Sequence, residues 1–139
     1  MTPTIGTDAY TANDVVGGLL TFDVLEAGGG GTVRHAYIID DHSEGANLRL
    51  YIFRDLPSTI ADDAAFAPTV ADLKKLVARV EFAGADFVTL NGNDWQMVDV
   101  DKSFEAGGPN KLYGYLVDES GGTWAAATDL TIGLVVWAD

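Results

Sequence analysis

Residues 15–57 read VVGGLLTFDVLEAGGGGTVRHAYIIDDHSEGANLRLYIFRDLP, and this stretch decides the fold class. Apolar residues alternate along it: Leu20, Phe22 and Val24, then Val33, Tyr37 and Ile39, then Leu48, Leu50 and Ile52. A period of two belongs to pleated strands with one buried face, because successive side chains point to opposite sides. Gly28 to Gly31 separate the first two runs, and glycine enters positive φ without a Cβ clash, so they read as a flexible hairpin loop. The opening is therefore predicted to be an antiparallel meander, with strands near 15–25, 32–40 and 47–54.

The same pattern continues downstream. Ala78, Val80 and Phe82 share one face of a strand over 77–83, with Arg79 and Glu81 on the other. Residues 86–90 and 95–100 flank Asn91-Gly92, a strong two-residue hairpin signal. The loop at 103–110 is a break, 111–118 is a strand, and Ser120-Gly121-Gly122 is a turn. Leu130, Ile132, Leu134 and Val136 line one face of the last strand. Two short helical turns interrupt this series. Thr59 with Asp62, and Thr69 with Asp72, both have the spacing of a capping box with Asp in the usual Glu position. No crossover helix is long enough for a parallel βαβ unit. The expected fold is all-β with minor α: an antiparallel β-sandwich or jelly-roll-like barrel carrying one or two short helices. Residues 1–13 read as a polar arm that orders only on docking, and 14–139 as a single domain.

The composition narrows the function classes. The chain has 139 residues, 47% of them hydrophobic, enough for a core without staples. It has no cysteine, which removes disulfides and thiolate metal sites. Eight Lys and Arg against 21 Asp and Glu leave a net charge of −13. That sign opposes nucleic acid and anionic membrane as partners, since both demand cationic residues. There is no apolar run long enough to span a bilayer, and residues 1–13 have neither the charge nor the apolar stretch of a signal peptide.

Candidate chemistry is sparse. The glycine run is followed by Thr32-Val33-Arg34 entering a strand, not by the Lys-Ser/Thr and helix of a phosphate loop. Asp40, Asp41, His42 and Glu44 form an oxygen-rich stretch that could hold a hard cation such as Ca²⁺, but acidic loops are common on so acidic a chain. His35 shares a strand face with Val33, Tyr37 and Ile39, and reads as a half-buried or interfacial histidine. No nucleophile elbow occurs and no pair of carboxylates stands out. The expectation is a protein that binds rather than one that catalyses, with no catalytic residue, cofactor or metal. Of the tryptophans, Trp124 fits core or interface equally, and Trp95 fits a core edge.

Four segments carry a resemblance. They are Asp14-Val15-Val16-Gly17-Gly18-Leu19-Leu20-Thr21-Phe22, Leu48-Arg49-Leu50-Tyr51-Ile52-Phe53 with Pro57, Thr59 to Phe66, and the closing run 128–134. Together, in order and spacing, they resemble the capsid decoration (cement) proteins of tailed bacteriophages, encoded near the major capsid protein. The resemblance implies a virion structural protein made in the bacterial cytoplasm and located on the capsid surface. It implies the major capsid protein as partner and a homotrimer at three-fold positions of the shell. The segments expected to make contact are Thr2 to Asn13 and the 103–110 loop, with Thr2, Pro3, Thr4, Tyr10 and Trp124 as interface residues. The alternative is a head-fibre or tail-associated module that binds carbohydrate or a host surface, which exposed, coplanar tryptophans would favour.

Overall fold

The computed structural model describes residues 1–24, 29–105 and 110–138. Its strands are β1 (Val15–Asp23), β2 (Gly30–Asp40), β3 (Leu48–Phe53), β4 (Leu76–Phe82), β5 (Val88–Leu90), β6 (Asn93–Glu105), β7 (Lys111–Asp118) and β8 (Leu130–Ala138). They form two four-stranded sheets, ordered β1-β7-β3-β4 and β5-β6-β2-β8. Every pairing is antiparallel. The expected all-β sandwich is the observed fold. Among the described residues no helix is long and apolar enough to cross a membrane.

The predicted opening meander is not there. β1 pairs with β7, β2 lies between β6 and β8, and β3 lies between β4 and β7, so the first three strands alternate between sheets. β1 and β2 therefore lie in different sheets and are not hairpin partners; Gly30 and Gly31 belong to β2, and Gly28 lies outside the described residues. A Cβ on Gly31 would lie 2.6 Å from the Trp137 carbonyl oxygen, so glycine is needed there for close backbone approach. The Asn91-Gly92 hairpin does form. Both residues have positive φ, 51° and 84°, and join Leu90 to Asn93 as a two-residue primed turn.

The core lies between the sheets. Leu20 and Phe22, Leu48, Leu50 and Ile52, Ala78, Val80 and Phe82, and Leu112 and Leu116 point inward from the first sheet. Val33, Ala36, Ile38, Leu130 and Ile132 meet them from the second. On β2 the expected parity fails after Val33. The register shifts between Val33 and His35, so Ala36 and Ile38 face the core while His35, Tyr37 and Ile39 face out. A bulge inserts one residue and exchanges the faces of everything beyond it.

One predicted helix forms and the other does not. The Thr69 hydroxyl accepts the Asp72 N–H, the Asp72 carboxylate accepts the Thr69 N–H, and α1 (Val70–Leu73) follows. At 61–66 there is a turn, with Asp63 at φ 59°. Asp62 is engaged elsewhere: its carboxylate accepts the Gly17 N–H at 2.6 Å and the Tyr10 hydroxyl at 2.7 Å. That tertiary use removes it from a cap.

Residues 1–13 dock on their own domain. Pro3, Ile5 and Tyr10 are buried. Asn13 N–H donates to Asp118 O, Tyr10 N–H to Gly122 O, Ile5 N–H to Ala127 O, and Ile132 N–H to Met1 O. The arm thus runs antiparallel to the β7–β8 connection and reaches the open edge of β8.

Candidate functional site

The buried carboxylates are structural clamps. Asp118 is fully buried and accepts the N–H groups of Ser120 and Gly121 at 2.7 and 3.0 Å, and that of Gly122 as well. This closes the predicted Ser-Gly-Gly turn. Asp72 accepts Ser58 N–H at 2.8 Å and Thr69 N–H at 2.9 Å, together with both hydroxyls. Hydrogen bonding to the Thr69 hydroxyl first, and to the Ser58 N–H next, holds its carboxyl well below the usual carboxylate range.

Asp40 shows the opposite balance. One oxygen accepts His42 N–H and the other Glu44 N–H, both at 3.0 Å. Burial nevertheless dominates and raises its pKa, with Asp94, its cross-strand neighbour, adding to the rise. The proposed cation stretch therefore does not converge. Asp40 turns inward, Glu44 accepts Thr123 N–H at 3.1 Å, and Asp41 and His42 lie exposed. Among the described residues no three Asp, Glu or His side chains gather as a cation set.

The interface residues named from the sequence divide sharply. Tyr10 is 3% and Trp124 0% exposed, and their rings meet edge to face at 5.6 Å. They are a core pair closing one end of the sandwich, and Pro3 packs against Gly17 beside them. Thr2 and Thr4 remain exposed. Burial, then the hydrogen bond to Asp62, drives the Tyr10 pKa upward. The segment expected as a contact loop over 103–110 begins as strand instead, because Ser103 to Glu105 extend β6 and pair with Gly30 to Thr32; residues 106–109 lie outside the described residues, which resume at Asn110. The tryptophans form no coplanar set, and Trp137, the exposed one, lies under the Arg34 guanidinium at 4.5 Å. Trp124 is in the core; Trp95 pairs in register with Ile39 and Trp137 with Thr32, roughly 20 Å apart along β2.

The sequence reading missed the surface that the bulge creates. Beyond Val33 the outer face of the second sheet carries Tyr37 and Ile39 from β2, Trp95 and Met97 from β6, Val88 from β5 and Val135 from β8. Val88 is 51% and Met97 43% exposed. Tyr37 lies across Gly133, where a Cβ would meet its ring at 2.1 Å, so glycine seats the aromatic flat on the sheet. His35 and Asp99 border this patch and pair at 2.8 Å. The sign available in the sequence was that Tyr37-Ile39 and Ala36-Ile38 are apolar in both phases, which a one-sided strand does not require.

No family model, curated protein or solved structure matches this chain.

Proposed function

We propose that this chain is a virion structural protein, a capsid decoration (cement) protein that binds the phage head shell and stabilises it as a trimer at three-fold positions. The word capsid comes from the four resembling segments. The observation that supports a binding role is the outer face of the β5-β6-β2-β8 sheet, where Val88 and Met97 are exposed beside half-buried Tyr37 and Ile39 on an otherwise acidic chain. Contiguous exposed apolar surface rimmed by polar groups is the usual mark of a protein–protein contact. An acidic, soluble subunit suits display at many equivalent positions, where avidity compensates for a modest single interface.

Three copies at −13 each bring a charge of −39 together. Salt screens that repulsion over about 8 Å at physiological strength, so trimers should strengthen from low to moderate salt. Co-sedimentation with shells assembled from the capsid protein encoded alongside tests the reading. Saturable binding at a fixed ratio to capsid subunits is expected. Failure to bind both expanded and unexpanded shells would remove it. Light scattering at two salt concentrations checks the trimer separately.

A further inference from the structure

The outer edge of β6 is only partly covered. β5 pairs with residues 93–95 of β6 and no further. Leu90 and Asn93 close a two-residue turn and so form a hydrogen-bonded pair; Val88 and Trp95, two steps on, form the next. The same alternation aims the N–H and C=O of Met97 and Asp99 at the side β5 has vacated. At that step lies a groove of about 450 Å³, with Val88, Trp95, Met97 and Val98 as its apolar lining and Asp86 and Asp99 as its charges. Gln96 also lines it, is 7% exposed, and has a buried Oε1 without a hydrogen-bond partner. Beyond Val100 the edge is closed to regular pairing: Asp101 has φ 49°, and the β2–β6 register shifts there.

We infer that this edge binds an extended segment of a partner protein, which adds to β6 in line with β5. The segment has apolar side chains at alternate positions and at least one Lys or Arg. Each feature of the segment follows from a feature of the groove. Free backbone donors and acceptors at Met97 and Asp99 call for a strand, and the apolar walls call for alternate apolar side chains. Asp86 and Asp99 are the charged residues of the groove and no Lys or Arg lines it; Asp99 already pairs with His35, so a cationic side chain complements Asp86 first. The regular stretch from Gln96 meets β4 at its lower end, where Ala78 to Glu81 face Val98 to Lys102 across a second groove, so the edge holds a short strand of about three residues. This site is independent of the capsid reading, because any protein presenting such a segment qualifies.

The test uses the whole chain, labelled for NMR, titrated with the peptide acetyl-Lys-Val-Thr-Val-Thr-Lys-amide. Two controls are a proline-interrupted version and one with Glu in place of Lys. Amide exchange at Met97 and Asp99 is expected to slow about tenfold in the bound state, while amides of β4 and β8 stay unchanged. Asp99→Lys should weaken binding about threefold and leave the spectrum of the fold intact. Met97→Pro removes an edge N–H that the sheet does not use, and should abolish binding. Three results would overturn the inference: no binding at about 1 mM peptide, equal binding of the proline-interrupted peptide, or protection at another edge. Protection of Met97 and Asp99 before any peptide is added, in a dimer seen by light scattering, would also overturn it in favour of a second copy.

Discussion

The two sheets bury their inner faces alike and treat their outer faces differently. On the first sheet, Val15, Phe53, Tyr113, Tyr115 and Val117 form a second apolar cluster on its outer side. The chain covers this cluster with its own 54–75 segment. Phe66 packs on Tyr51 at 4.3 Å and on Tyr115 at 5.9 Å, and Ile60 joins them. Tyr115 fastens the cover from below, donating to Ser58 O at 2.8 Å and accepting Ile60 N–H at 3.0 Å. Asp72 fastens it from the side through Ser58. On the second sheet no comparable segment lies over Tyr37, Ile39, Trp95 and Met97 among the described residues. Apolar area of this kind is worth roughly 25 cal/mol per Å² when covered. The first sheet realises that stabilisation by folding, whereas the second does not.

Removing the cover's anchor tests this contrast most severely. Phe66→Ala should cost about 3 kcal/mol in chemical denaturation, because a buried aromatic is replaced by a cavity against Tyr51 and Tyr115. A loss below about 1 kcal/mol would mean the segment rests on the sheet without holding it. Asp72→Asn should cost about 2 kcal/mol, since an amide nitrogen would face either the Ser58 or the Thr69 donors. The pH dependence sharpens this. With its folded pKa depressed, Asp72 contributes stability that is present above about pH 4 and lost as pH falls through its folded value. Asp40 acts in the opposite sense: its raised pKa costs stability when ionised, and protonation on acidification recovers it. Melts of Asp72→Asn between pH 7 and pH 2 should therefore show a shallower acid loss than the parent, and an unchanged slope would remove the clamp from the account.

Tyr115→Phe is a finer probe. It keeps the ring packing and deletes the hydroxyl between Ser58 and Ile60, so about 1 kcal/mol should be lost. Amide exchange should quicken over residues 58–60 before the rest of the first sheet. The smallest effect belongs to the bare face. Val88→Thr and Met97→Ser should each change stability by less than about 0.5 kcal/mol, as expected where nothing packs above them. The same variants should weaken shell binding in the co-sedimentation assay. A large stability loss at Met97 would show that the face is already occupied in solution.

Much of the candidate surface was illegible in the residues alone, for reasons that can be named. Tyr37 and Ile39 looked inward because they continued the phase of Val33, and the bulge near Arg34 reversed them. Tyr10 and Trp124 had the composition of an interface, but an edge-to-face pair inside a core has the same composition. Asp62 had a capping position three residues after Thr59, yet Gly17 and Tyr10, far away in sequence, claimed its carboxylate.

What the sequence determined by itself was local. It set the strands and the inward phase of β1, β3, β4 and β8, the Asn91-Gly92 turn and the Thr69–Asp72 box. Each depends on side-chain period or on bonds spanning a few residues. Which strands pair, where β2 changes face, which acids close loops and which apolar face stays bare were decided only by the tertiary structure. Those outcomes depend on contacts between distant segments, and the alternation that marks a strand carries no information about its neighbour.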